Sequence, residues 1–259
     1  MLPIARTIPR VALVTGAARR IGAAIAGGLA DAGFDVAISY AHSGEAASAT
    51  VARLQGFGRK AVALRADLAG EAGPGDLLER AAEALGPVGV LVNNASAFER
   101  DEWHDATRAS WEHHLGPNLR APFVLTQAFA RALPAAAEGV VINMLDQRVW
   151  SLTPHFVSYT VSKAGLWTLT RTMALALAPR IRVNAIGPGP ALPSPRQTEA
   201  QFRAQAAAVP LGRGTGPDEI ARAALAILAL PSMTGQMIAL DGGQHLQWGA
   251  VPPGRAPVE

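Results

Sequence analysis

Val11-Ala12-Leu13-Val14-Thr15-Gly16-Ala17-Ala18-Arg19-Arg20-Ile21-Gly22 is the stretch that decides the fold. Val11–Val14 is a wholly apolar run, the pattern of a strand buried on both faces. A glycine-containing turn follows, and apolar residues then recur at helical spacing over 21–32, with Gly33 as a stop signal. Strand, glycine turn and helix in that order bring backbone N–H groups to a helix N-terminus that a phosphate can approach closely. Taken alone, the turn is also what a purely structural tight turn looks like. Its place between the first strand and the first helix favours the phosphate reading.

The alternation continues along the chain. Asp35–Tyr40 reads as the second strand, 45–54 as a helix, 61–66 as the third strand, 75–85 as a helix and 88–92 as the fourth strand. Residues 111–133 read as one long helix despite Pro117 and Pro122, and 140–145 as the fifth strand. A second long helix covers 159–178, and 181–186 is the sixth strand. A loop rich in proline and glycine over 187–195 precedes a helix at 218–230 and a last strand at Met237–Leu240. Right-handed crossovers between such units predict an α/β fold: a Rossmann-type, doubly wound sheet of seven mainly parallel strands with helices on both faces. One domain is expected over 1–248, with an irregular tail over 249–259 that contains Pro252, Pro253 and Pro257.

Hydrophobic residues make up 49% of the 259, enough for a large core, and the 17% of charged residues argues against disorder. A net charge of +3 with scattered basic residues gives no nucleic-acid or membrane footprint. The chain has no cysteine, so disulfides, thiolate metal sites and thiol catalysis are excluded. No signal segment is apparent, and the longest apolar stretch, 221–230, is too short to span a bilayer. The expectation is a cytoplasmic protein acting on a small molecule.

Tyr159 and Lys163, in Tyr-Thr-Val-Ser-Lys, share one face of a helix. The ammonium is expected to lower the phenol's pKa from about 10, making Tyr159 a proton donor near neutrality. Upstream, Asp146 could orient the tyrosine or pass it a proton; its plainer role would be to cap backbone amides at a strand end. The second strand ends in Ser39-Tyr40-Ala41-His42-Ser43, with no acid to accept from a ribose 2′-hydroxyl, and Asp35 lies at the wrong end. Arg19 and Arg20 could meet a 2′-phosphate, with Ser43 adding a hydrogen bond, or be solvated surface charges. The reading favours NADPH. Asp67 could accept from an adenine amine or cap a helix. Asn93-Asn94-Ala95 lies at the carboxyl end of the fourth strand, where open parallel sheets bind ligands.

His113 and His114 are adjacent and point apart, so a metal pair is not expected, and His104, His155 and His245 lack ligand spacing. His155, just before the active-site helix, could touch substrate. Trp103, Trp150 and Trp248 could line the pocket or pack in the core or an interface.

Together, Thr15-Gly16…Gly22, Asp67, Asn93-Asn94-Ala95, Asn118, Tyr159-x-x-x-Lys163, Pro188-Gly189 and Asp241-Gly242-Gly243 resemble the short-chain dehydrogenase/reductase family, in its order and over nearly the whole chain. The resemblance implies hydride transfer from a nicotinamide, with Tyr159 as acid, Lys163 holding tyrosine and ribose, and Asn118 anchoring a proton-relay water. Cofactor contacts are implied for Gly16, Arg19, Arg20, Ile21 and Gly22, for Ser43, Asp67 and Leu68, and for Asn94, Ala95, Tyr159, Lys163, Pro188 and Gly189. Arg20 stands where the family usually has glycine, and Asp146 where it usually has serine. Both departures are similar to the pteridine and dihydromonapterin reductases, as is Asn93-Asn94-Ala95-Ser96-Ala97-Phe98. That branch implies substrate contacts at Ser96, Phe98, Arg20, Asp146 and Tyr159, with Phe98 stacking on a pterin; otherwise Phe98 is an apolar loop anchor. The alternatives are a carbonyl reductase, for instance of a 3-oxoacyl thioester, and more distantly a silent NADP-binding sensor. The family also implies a homotetramer, and the loop over 189–195, in the 189–208 substrate segment, is expected to close over substrate.

Overall fold

A computed structural model of the protein describes residues 3–70 and 73–246. Seven strands form one sheet: β1 Val11–Val14, β2 Asp35–Tyr40, β3 Ala61–Arg65, β4 Val90–Asn93, β5 Gly139–Met144, β6 Ile181–Pro188 and β7 Met237–Leu240. Their order is β3-β2-β1-β4-β5-β6-β7, and every pairing is parallel. Successive side chains on a strand point to opposite faces, and the two faces bury different sets. Val14, Ile38, Val92 and Ile142 pack against Ile25 and Leu29 of α1 (Arg20–Asp31), Leu54 of α2 (Gly44–Gln55) and Ile227 of α8 (Pro217–Ala229). Leu13, Leu91, Val141 and Val183 pack on the other face, against Leu77 of α3 (Leu77–Leu85), Leu125 and Phe129 of α5 (Ala121–Ala132) and Ala174 of α6 (Val157–Leu177). Burying each of the larger of these side chains contributes about 1.5–3 kcal/mol. The run Val11–Val14 reads as wholly apolar because both layers use it.

The long helix expected at 111–133 is broken. It consists of α4 (Arg108–Leu115), a π-helical turn over Gly116–Arg120, and α5. Pro122 has no N–H to give the Asn118 carbonyl four residues before it, so the α-helical ladder is interrupted there. The wider turn closes instead on the Ala121 N–H, which reaches the Gly116 carbonyl. A further helix, α7 (Glu199–Ala207), occupies sequence left without an element, and its Thr198/Gln201 capping box was a readable signal. Strand β6 extends through Gly187 and Pro188, which the sequence assigned to the loop. No described helix is long and apolar enough to cross a membrane. The tail over 249–259 and Trp248 lie outside the described residues.

Candidate active site

The chain leaves β1 toward β2 on one side and returns to β4 on the other, so a crevice opens beyond the carboxyl ends of β1 and β4. Thr15 stitches it together: its hydroxyl accepts from the N–H groups of Asn94 (2.9 Å) and Ala95 (3.0 Å). The Asn94 amide donates back to the carbonyls of Thr15 (2.8 Å) and Gly16 (3.1 Å). The fit leaves no room for side chains at the turn. A Cβ on Gly22 would lie 2.5 Å from the Asn94 amide nitrogen, and one on Gly16, at φ +61°, 2.8 Å from Ala95 Cα.

A cleft of about 910 Å³ runs over this turn and gathers Gly16, Arg19, Arg20, Ile21, Gly22, Ser43, Asp67, Leu68, Asn94 and Ala95. All ten cofactor candidates from the first part of the chain therefore converge. At the end of β2 the lining is Tyr40, Ala41, His42 and Ser43, with no carboxylate for a ribose 2′-hydroxyl. Arg19 has no ion pair or side-chain hydrogen bond among the described residues, which leaves its guanidinium available for a phosphate. The Gly-rich turn, open helix terminus and free arginine suit a phosphorylated dinucleotide.

Arg20 stands where the two clefts meet. Its backbone is left-handed at φ 56°, a conformation that explains why glycine suits the position and that costs a non-glycine residue about 1–2 kcal/mol. Its guanidinium donates twice to the Pro193 carbonyl, both at 3.1 Å, which ties it to the 189–195 loop while it lines both clefts. Asp67 accepts from the Ala69 N–H at 3.0 Å, closing a turn; no described helix starts there for it to cap.

A second cleft of about 700 Å³ adjoins the first, sharing Arg20, Ile21, Asn94, Ser96 and Phe98, and is also lined by Asp146, Tyr159, Lys163, Pro188 and Gly189. Strand β5 delivers Asp146 to it, and α6 delivers Tyr159 and Lys163 from one helix face. The Tyr159 hydroxyl donates to Asp146 Oδ2 at 3.0 Å. Arg148 Nη1 donates to the same oxygen at 2.9 Å, and the Arg148 N–H to Oδ1 at 2.9 Å. Asp146 thus fills both proposed roles, holding the phenol and capping the short 3₁₀ turn Gln147–Val149.

The expected acidification of the phenol by Lys163 is not found. Burial pushes the Tyr159 pKa well above 10, and the adjacent Asp146 carboxylate pushes it further, against a smaller opposing effect of Arg148. Lys163 sends its ammonium to the Met144 carbonyl at 2.8 Å, 5.8 Å from the Tyr159 ring centroid. Burial lowers its own pKa to about 8, even with Asp146 holding it up. The phenol is accordingly a proton reservoir, fully protonated at neutral pH.

Phe98 stacks on Phe156, with centroids 4.8 Å apart and planes 11° apart, and meets Tyr159 edge-on at 4.7 Å. The anchor role is therefore real, yet the ring still borders both clefts and forms an aromatic wall with Phe156. The Ser96 hydroxyl donates to the Ala97 carbonyl at 3.2 Å. Asn118 is fully buried in the π turn and spends both N–H bonds on the Ala97 carbonyl and Ser162 Oγ, each at 3.0 Å, while accepting from the Ala97 N–H at 2.8 Å. Its side chain holds the loop that carries Ser96 and Phe98.

Other candidates fall away. His155 binds Glu102 at 2.9 Å and does not line the second cleft. Trp103 is 82% exposed, and Trp150 packs edge-on against His245 and Trp167; neither lines the clefts. Residues of the second cleft that sequence reasoning missed include Arg148, Phe156 and Arg196. The last of these pairs with Glu99 and donates to the Phe98 carbonyl at 2.8 Å.

A Gly-rich turn at the switch point, beside a tyrosine and a lysine one helical turn apart, is the architecture of a nicotinamide-dependent reductase. The sequence pattern of the family described as Enoyl-(Acyl carrier protein) reductase matches residues 16–245, and the chain belongs to the short-chain dehydrogenase/reductase family of oxidoreductases. Among solved structures it is similar to FolM alternative dihydrofolate reductase 1 from Brucella canis, complexed with NADP. The two are 45% identical with a TM-score of 0.91, over 97% of this chain and 100% of that one. A short chain dehydrogenase from Burkholderia cenocepacia, in complex with NADP, is 34% identical with a TM-score of 0.84, over 92% of this chain and 99% of that one. The 3-oxoacyl-[acyl-carrier-protein] reductase of Synechocystis sp. is 31% identical over 237 residues, 90% of this chain and 96% of that protein.

Proposed function

We propose that the protein is an NADPH-dependent reductase of a pteridine ring, of the dihydropterin or dihydrofolate type. The observation that carries this reading is the Asp146 carboxylate bonded to the Tyr159 hydroxyl at 3.0 Å. A ketone gains negative charge on oxygen as it is reduced and needs donors aimed at that oxygen. A carboxylate beside it repels that charge. A pteridine instead offers N–H groups, which a carboxylate accepts, and a ring nitrogen that must gain a proton. The aromatic wall of Phe98 and Phe156 suits a flat heterocycle. The 45% identity to an alternative dihydrofolate reductase supports the same class.

When bound, NADPH supplies the hydride that reduces the C=N bond. The protein's part is to hold the proton for nitrogen at Tyr159 Oη; the O–H rests on Asp146 and turns to the ring nitrogen when the substrate enters, while Arg148 balances the carboxylate. Lys163, anchored on Met144, supplies positive charge beneath the tyrosine. Gly16, Gly22 and Arg19 are placed to bind the dinucleotide, and the absence of an acid at the end of β2 selects the 2′-phosphate form.

The test is NADPH oxidation with dihydrobiopterin, dihydrofolate and an acetoacetyl thioester as separate substrates, with NADH in parallel. Turnover of the pteridines with NADPH is expected. Turnover of the thioester alone would replace this reading by the carbonyl reductase one, to which the Synechocystis relative's name points.

The functional unit we propose is a homotetramer. Phe123 on α5 and Val161 and Leu175 on α6 present apolar side chains to solvent, 37%, 42% and 84% exposed, in the single chain. Sedimentation equilibrium at micromolar concentration is expected to give four chains per particle; a monomer would overturn the assignment.

A further inference from the structure

Helix α6 carries Tyr159 in its first turn, yet its own N-cap residue is Phe156, left-handed at φ 57° and without a side chain able to accept a hydrogen bond. The first N–H groups of a helix need acceptors from elsewhere. They find them in one residue of the loop that also carries Ser96 and Phe98. The Asp101 carbonyl accepts from the N–H groups of Phe156 (2.9 Å) and Val157 (3.4 Å), and its Oδ1 from the Ser158 N–H (3.2 Å). Asp101 Oδ2 accepts from the Ser158 hydroxyl at 2.5 Å. Asp101 is 5% exposed, and its charge lies at the end of the helix that favours an anion.

The chain of bonds continues in a single direction. The Glu99 N–H can only donate, and it does so to His114 Nε2 at 3.0 Å, so the proton of this neutral imidazole sits on Nδ1. Nδ1 lies 2.7 Å from Ser158 Oγ and 3.0 Å from the Ser110 carbonyl. His114 therefore donates to Ser158, and Ser158 donates to Asp101. His114 and Ser158 are fully buried, neither lines the second cleft, and the His114 ring meets the Tyr159 ring edge-on at 5.9 Å.

We propose that Asp101 is a positioning residue for Tyr159, capping the active-site helix from the pocket loop through Ser158, with His114 fixing the hydroxyl's direction. This rests on Tyr159 being the proton donor. Ser158 immediately precedes Tyr159, so opening the first turn moves the phenol relative to Asp146, and a displacement of about 1 Å costs on the order of 10²-fold in rate. Phe98, three residues before Asp101, moves with the same loop. The pocket wall and the proton donor are thereby held as one unit.

The experiment uses Asp101→Asn, which keeps the shape but puts an NH₂ group where Ser158 needs an acceptor. A fall in kcat of about 10- to 100-fold, with the dissociation constant for NADPH changed less than about twofold, is expected on whichever substrate the protein reduces. In a Tyr159→Phe background the same change should cost nothing further; an equal loss there would show that Asp101 acts on something else and overturn the proposal. The chain has two tyrosines, so ¹³C-tyrosine NMR, assigned with Tyr40→Phe, reads the effect without any substrate. The Tyr159 signal should shift in Asp101→Asn and the Tyr40 signal stay. An unmoved Tyr159 signal would overturn the proposal, whereas failure of every pteridine to react would count only against the substrate reading. If Asp101→Asn does not fold, Ser158→Ala removes the hydroxyl alone and is judged by the same two readouts.

Discussion

Tyr159→Phe is expected to lower kcat for pteridine reduction by about 10³-fold, within the range that loss of a positioned general acid produces, while NADPH binding stays within about twofold. The phenyl ring keeps the contacts with Phe98 and His114, so the pocket wall survives. Asp146 keeps both bonds from Arg148, so no buried carboxylate is left alone, and the stability loss should be about 1 kcal/mol. What disappears is the only hydroxyl bonded to Asp146 among the described residues. Single-turnover NADPH oxidation separates this loss from product release, and NADPH fluorescence reports binding. A variant that binds NADPH and still reduces substrate at the original rate would move the proton donor elsewhere.

Asp146→Asn should be nearly as damaging, with a fall in pteridine turnover on the order of 10²-fold. Its second consequence is electrostatic and can be read directly. The carboxylate's charge opposes a phenolate beside it, so its removal should lower the Tyr159 pKa from its raised position, although burial still holds it up. The same charge supports the Lys163 ammonium, so the Lys163 pKa should fall below its present value of about 8. The upper limit of the pH–rate profile should then move toward lower pH. Titration of the ¹³C-tyrosine signals checks the first shift and the pH dependence of kcat/KM the second. Unchanged pteridine turnover would reduce Asp146 to a cap for the 3₁₀ turn.

Much of this could be read from short-range pattern. Val11–Val14 and Asp35–Tyr40 are strands with the boundaries that their apolar runs suggest, because each packs between two helical layers. Met237–Leu240 keeps its boundaries as the half-buried edge strand paired with β6. The cofactor candidates converge because they sit at strand ends, which the topology brings together. What escaped depends on contacts between distant positions. Lys163 was expected to acidify Tyr159 from spacing alone, but the deciding effects are burial and the Asp146 carboxylate, which spacing does not measure. Arg20 reads as a phosphate ligand because it is basic and near the turn, and only the path of the 189–195 loop shows that it also bonds Pro193. His114 reads from sequence only as half of a metal pair that its adjacency to His113 argues against; its burial follows from how α4 meets α6, about which its neighbours in sequence say nothing.

The π turn at Gly116–Arg120 has a consequence for the phase of the rod it interrupts. One extra residue in a helix advances every later side chain by about 100°. Before the turn, α4 aims His114 at the start of α6; after it, α5 aims Leu125 and Phe129 at the sheet. An uninterrupted helix in one phase would have to give up one of these alignments. Deleting a single residue of the turn would therefore act as a misalignment of two surfaces rather than as a local defect, and the catalytic side or the core would lose its partner.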